Sequence, residues 1–170
     1  MKSFISAIGA VGLALAGCPQ PGERADAVAP GTNLALDRPA TGSPICKPGE
    51  EAEKAVNGRN ASWTHDKFCT LETPAWLQVD LGGEHGVHSF TIRHAGAAGE
   101  AADLNTRAFR ISTSLDGQRW DTAVEVSDNT ESVTQHEVAP RRARYVRLDV
   151  TGPTQKAEDP ATRIYELEVR

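Results

Sequence analysis

Apolar residues in this chain alternate with polar ones, in short runs. Leu77, Val79 and Leu81 interleave with Trp76, Gln78 and Asp80 before Gly82-Gly83 closes the run. Phe90 and Ile92 stand among Ser89, Thr91 and Arg93, and Phe109 with Ile111 and Val124 with Val126 repeat the pattern. Val146, Leu148 and Val150 share one face of a later run, and Tyr165, Leu167 and Val169 share one face of the last. Successive side chains on a strand point to opposite faces, so each run reads as a half-buried strand. Asp116-Gly117 supplies a tight hairpin turn, because glycine tolerates positive φ. Beyond the first seventeen residues, no stretch sustains a helical period. Short strands with one apolar face, divided by turns, predict an all-β sandwich or barrel of packed antiparallel sheets.

Composition narrows the function. The 170 residues are 39% apolar and 24% charged, which suits one folded domain with a short appendage. The net charge is −5 and no block of Lys or Arg occurs. A phosphate-tracking groove needs clustered positive charge, so nucleic acid and polybasic membrane docking are set aside. The chain has no GxSxG elbow, HExxH helix, P-loop or dinucleotide fingerprint, which points to a binder and not an enzyme.

The N-terminus reads as an address. Lys2 precedes the uncharged apolar stretch Phe4 to Ala16, which is shorter than the roughly 20 residues a bilayer span needs. The stretch ends in Leu15-Ala16-Gly17-Cys18, which resembles the lipobox of bacterial lipoproteins. That resemblance implies a signal peptide over residues 1–17 and acylation of Cys18. Each buried acyl CH₂ adds ~0.8 kcal/mol of membrane affinity. The resemblance to lipoproteins further implies a lipid-anchored place in the cell envelope, and Pro19 in place of Asp after the Cys implies, for a Gram-negative host, the outer membrane. An ordinary signal peptide with an incidental Cys is the alternative. Residues 18–31, rich in Pro, Gly and Ala, read as a flexible tether, and 32–170 as the folded domain. Cys46 and Cys69 then form an even pair in an oxidising compartment. A disulfide closing that loop of about 24 residues would be worth ~3 kcal/mol, and two free buried thiols are the alternative.

Six segments occur in order: Asn33 to Thr41, Lys54-Ala-Val-Asn-Gly58 with Trp63, Trp76 to Gly82, Phe109 to Trp120, Ala143 to Leu148, and Ile164 to Val169. Together they resemble the discoidin domain, the coagulation factor V/VIII type C domain, whose bacterial members include family 32 carbohydrate-binding modules. The resemblance implies a galactose-binding-like jelly-roll β-sandwich of about eight antiparallel strands, with a ligand site in the loops at one end. It implies carbohydrate binding by a surface lipoprotein. A protein-docking or adhesion module in an envelope complex is the alternative.

The segment from Ile92 to Phe109 leaves one strand and enters another through small residues that let a loop bend close to a ligand. Within it His94, Glu100, Asn105 and Arg107 mix donors and acceptors as sugar hydroxyls require. A similar His-Ala-Gly…Asn-Thr-Arg loop occurs in discoidin modules attached to bacterial glycosidases. Trp63 and His65 sit in another loop and could add an aromatic platform for a sugar's C–H face. Surface pairing of Glu100 with Arg107 and a side-chain turn at Asn105 are the plainer readings. The resemblance also implies one structural calcium, held by the carbonyls of Lys54 and Arg59, the side chains of Asn57 and Ser62, and the carboxylate of Glu166. Calcium takes six to eight hard oxygen ligands, which this set provides in part. Relatives usually carry Asp and Thr at positions 57 and 62, so the site here lacks one formal charge. His85 and His88 bracket a turn without a third metal ligand, and Asn60-Ala-Ser62 matches a glycosylation sequon.

Overall fold

A computed structural model describes residues 31–59 and 66–170. The expected signal peptide and Cys18 lie outside the described residues, as does all of the expected tether but Gly31. The compact unit runs from Gly31 to Arg170. Seven strands build it: β1 (Ala40–Gly42), β2 (Phe68–Thr70), β3 (Ala75–His94), β4 (Ala108–Ser114), β5 (Asp121–Val126), β6 (Val133–Gly152) and β7 (Thr162–Val169). Every pairing is antiparallel, in the order β2-β7-β3-β6-β4-β5 with β1 beside β3. The architecture is the galactose-binding-like jelly roll. Seven strands stand where about eight were expected, because β3 and β6 each run 20 residues and serve in both layers.

The register shows how two strands make two layers. Ala75–Asp80 of β3 pair with Tyr145–Val150 of β6, and Ser89–Arg93 pair with Val133–Glu137. Between these halves the ladder slips twice, from Asp80 to His85 and from Val87 to Ser89, and Gly82 adopts a φ of +83°. Such irregularities bend a strand pair and turn it out of plane. The first half of β3, the second half of β6, β1, β4 and β5 form one layer. The second half of β3, the first half of β6, β7 and β2 form the other. Leu77, Val79, Leu81, Ile111, Val146 and Leu148 from one layer meet Phe68, Phe90, Ile92, Ile164 and Leu167 from the other in a single buried cluster.

β7 departs from simple alternation. Arg93 faces Glu166 and His94 faces Ile164, so Tyr165 is the extra residue of a β-bulge. Ile164 and Leu167 therefore point to the core, while Tyr165 turns to a polar network instead of sharing its face with Leu167 and Val169. Cys46 and Cys69 are bonded to each other. The bond ties the loop after β1 to β2, where Cys46 N–H also donates to the Cys69 carbonyl at 2.9 Å.

Candidate functional site

The fold brings three connections to one end. Arg107 N–H donates to Gly152 O at 2.8 Å, Asn129 N–H to Arg107 O at 2.7 Å, and Gln155 N–H to Asp103 O at 3.0 Å. These bonds join the β3–β4, β5–β6 and β6–β7 connections. Lys67, which leads into β2, reaches the same end through Glu100, so the loop that carries Trp63 and His65 is rooted beside the β3–β4 connection. Ser62, Trp63 and His65 themselves lie outside the described residues. Gly31 lies at the far end of β7, where Arg170 Nε donates to its carbonyl at 2.9 Å. Ile164 to Val169 of β7 separate the two ends by roughly 17 Å at the usual rise per strand residue.

The four residues expected to touch ligand in the β3–β4 connection do different jobs. His94 is fully buried, its ring 5.6 Å from that of Phe109 and its Nε2 3.2 Å from Thr134 Oγ1. Burial, with His136 adding like charge, pushes the imidazole pKa down to about 4. His94 is thus a neutral core residue, and the expectation that it meets ligand is corrected. Asn105 is equally buried. Its Oδ1 accepts from Gly96 N–H at 2.8 Å, and its Nδ2 donates to Thr130 O at 3.0 Å and Ser132 Oγ at 3.2 Å. Every polar atom of that amide is used inside the protein, so Asn105 braces the loop and does not contact a ligand.

Glu100 is tied as well, though not to Arg107. Its carboxylate accepts from Lys67 Nζ at 2.8 Å and from Tyr165 Oη at 2.5 Å, and lies 3.3 Å from Arg163 Nε. Glu50 stands 3.8 Å from Lys67, and Asp159 pairs with Arg163 at 3.0 Å. Burial raises the Tyr165 hydroxyl well above the ordinary tyrosine range, and its bond to Glu100 adds to that. Arg107 alone has a free, exposed side chain, with no hydrogen bond or ion pair to any described residue. It is a fixed backbone position with an unengaged guanidinium.

The turn after the 3-10 segment Ala52–Val56 has its own geometry. Gly58 adopts a φ of +70°, and its N–H donates to both carboxylate oxygens of Glu166 at 3.2 Å. Glu166 is buried with no cation within ion-pairing distance among the described residues, and burial raises its pKa to about 8. Asn57 Nδ2 donates to Asp66 Oδ1 at 2.7 Å, while its Oδ1 accepts from Arg59 N–H at 2.9 Å. Lys54 Nζ approaches Asp66 at 4.0 Å. A cleft of about 430 Å³ bordered by Asp37, Lys54, Asn57 and Arg59 leaves the turn open to solvent.

Sequence reasoning passed over several of these residues. Asp66 is a second carboxylate at the turn, placed there by a loop closure that no motif announces. Lys67 and Arg163 lie beside and within short strands, and Asn129 and Gln155 lie in connections, so no local pattern marks any of them.

A two-layer antiparallel jelly roll with its connections gathered at one end is the architecture of the galactose-binding-like folds. The F5/8 type C domain family matches residues 40–167, and the chain belongs to that family. The family 32 carbohydrate-binding module of Streptococcus pneumoniae EndoD is 26% identical, with a TM-score of 0.72 over 82% of this chain and 99% of that one. Chitosan-binding module 1 of a Paenibacillus chitosanase/glucanase is 24% identical, with a TM-score of 0.67 over 82% and 98%. The lectin domain of lectinolysin, solved with Lewis B antigen, is 23% identical, with a TM-score of 0.68 over 82% and 96%. The last two establish likeness of fold. No curated protein matches the chain significantly.

Proposed function

We propose that the chain is a non-catalytic glycan-binding module that takes its ligand at the loop end. The observation that carries this reading is Arg107. Its backbone N–H is held by Gly152 at the end of β6 and its carbonyl by Asn129 of the β5–β6 loop, and its guanidinium is exposed with no partner among the described residues. A fixed donor fork of this kind suits hydroxyl recognition, because little order remains to be imposed on binding. Trp63 and His65, outside the described residues, keep the contact role that the sequence assigns them in this reading. Membership of the F5/8 type C family supports the reading, as do neighbours that are themselves carbohydrate-binding modules or lectin domains.

The same reading includes a structural calcium. Its hard-oxygen donors are the carbonyls of Lys54 and Arg59, the side chains of Asn57 and Ser62, and the buried Glu166 carboxylate. Asp66 adds the formal charge that Asn57 withholds. The donor set fits, because a buried carboxylate met by one backbone N–H among the described residues is short of positive charge. The ion would clip the turn to β7 and take no part in chemistry. The lipobox-like Leu15 to Cys18 supports lipid anchoring at the outer membrane, and chain entry at Gly31, at the end of β7 away from the loops, is compatible with presenting them outward.

A glycan array with the full chain, in calcium and in EDTA, tests the reading. Specific hits that Arg107→Ala weakens strongly, leaving a residual affinity measurable in solution and the melting temperature unchanged, are expected. Loss of hits and a lower melting temperature in EDTA would support the calcium clip. A blank array from folded protein would sink glycan binding and favour protein docking, for which exposed Leu71 and Ile45 offer an apolar edge.

A further inference from the structure

Three consecutive carbonyls beneath Arg107 are held by two residues from other loops. Gln155 Nε2 donates to Asn105 O at 3.4 Å and to Asn129 O at 2.6 Å. Asn129 Nδ2 donates to Thr106 O at 2.8 Å, and Asn129 N–H donates to Arg107 O at 2.7 Å. The Asn129 side chain is closed on its own loop too, giving a bond to Glu131 O at 3.1 Å and taking one from Glu131 N–H at 2.9 Å. Gln155 is held in turn. Its N–H donates to Asp103 O, Lys156 pairs with Asp103 at 2.9 Å, and Thr154 Oγ1 spans its loop to Lys156 O and Asp159 O, each at 2.8 Å.

Residues 105–107 precede β4 and have no strand partner for these carbonyls. Backbone groups without a ladder normally go to water, which leaves a loop free to shift. Here the amides of Asn129 and Gln155 replace the ladder. We infer that Gln155 and Asn129 are positioning residues that fix the root of Arg107 and thereby set the affinity of the loop end for its glycan. The inference rests on the reading of Arg107 as a ligand contact. Neither residue needs to touch the glycan, since the side-chain amide donors of both are spent on backbone carbonyls. A preorganised root spares the site the ordering that a mobile loop would undergo on binding.

Gln155 is half-buried and is the better test, because Asn129 is nearly enclosed and its loss could unfold the loop. Gln155→Met keeps the length and removes the donors. Binding of the full chain would be measured with chitotriose, Lewis B antigen and GalNAc-β-1,3-galactose as probes, in wild-type and Arg107→Ala backgrounds. Gln155→Met is expected to weaken binding about tenfold, the effect of one to two lost hydrogen bonds. In the Arg107→Ala background it is expected to weaken binding no further, because coupled residues are non-additive. Equal losses in both backgrounds, or no loss in either, would overturn the inference while leaving Arg107 as a contact. Normal binding by Arg107→Ala alone would overturn the underlying reading. A ligand-free arm reads amide hydrogen exchange at Arg107 and Asn129. Gln155→Met is expected to speed both, with the core amides unchanged, and unaltered exchange would refute the strap whatever the probes show.

Discussion

The loop end and the opposite corner of this sandwich both carry ion pairs, yet the two sets do different work. At the corner Arg144 meets Asp80 through two bonds of 2.9 and 3.0 Å, Arg142 meets Glu84, and Arg119 meets Asp116 at 3.2 Å. Arg142 and Arg119 are largely in water, with 71% and 93% of their side chains exposed. At the loop end Lys67 and Glu100 meet at 2.8 Å with only 9% and 13% exposed. Water screens the first set and is largely excluded from the second. The corner pairs balance charge on a surface that the β3–β6 bend already shapes. The buried set decides where two loops sit relative to each other.

Breaking the buried set should have the largest effect. Lys67→Ala leaves Glu100 and Glu50 facing each other's surroundings without their shared cation. Removing one partner of a buried pair costs about 3–5 kcal/mol, read as a lower midpoint in urea unfolding. Lys67→Ala should also weaken glycan binding, because the root of the Trp63 loop goes with it. A loss under about 1 kcal/mol would mean that the network is wet and that the contrast between the two ends is false.

The next effect is one of pH. His94 ionises at about 4 in the folded protein and near 6.5 when unfolded. Above pH 6.5 both states are neutral and nothing is lost. Below it the unfolded chain binds a proton that the folded chain refuses, so stability falls as the pH drops from 6.5 to 4. The full window is worth about 3 kcal/mol. His136, also shifted downward by burial, acts in the same direction. Urea midpoints across this range should show the decline, and His94→Phe should flatten most of it. An unchanged slope in that variant would assign the decline to other groups.

These buried groups mark where the sequence is legible and where it is not. The faces of β3 and β6 could be read directly, since Leu77, Val79 and Leu81, and Val146, Leu148 and Val150, obey the period of two imposed by the pleat. The Cys46–Cys69 bond followed from counting thiols in a chain whose start reads as an export signal. His94 and Asn105 misled because residue type carries chemistry but not direction. A polar residue between strands looks the same whether it faces solvent or closes on Thr134 and Gly96. The bulge at Tyr165 was hidden because one unpaired residue in β7 is set by its partner β3. Asp66, Asn129 and Gln155 act across loops 9 to 50 positions apart in sequence. Only closure of the fold brings such residues together, and local patterns hold no record of it.

The smallest expected effect belongs to the corner. Arg142→Ala removes a short pair with Glu84, but both side chains lie largely in water and regain hydration when separated. Exposed pairs contribute between nothing and about 1 kcal/mol, and most surface substitutions fall within about 0.5 kcal/mol. The urea midpoint of Arg142→Ala should therefore stay close to wild type, and added salt should shrink whatever difference exists. Glycan binding should not change, since the corner lies at the bend midway along both long strands, about ten residues along β6 from Gly152, whose carbonyl holds Arg107. If Arg142→Ala instead rivals Lys67→Ala, short distance and not burial governs these pairs, and the two ends are braced alike.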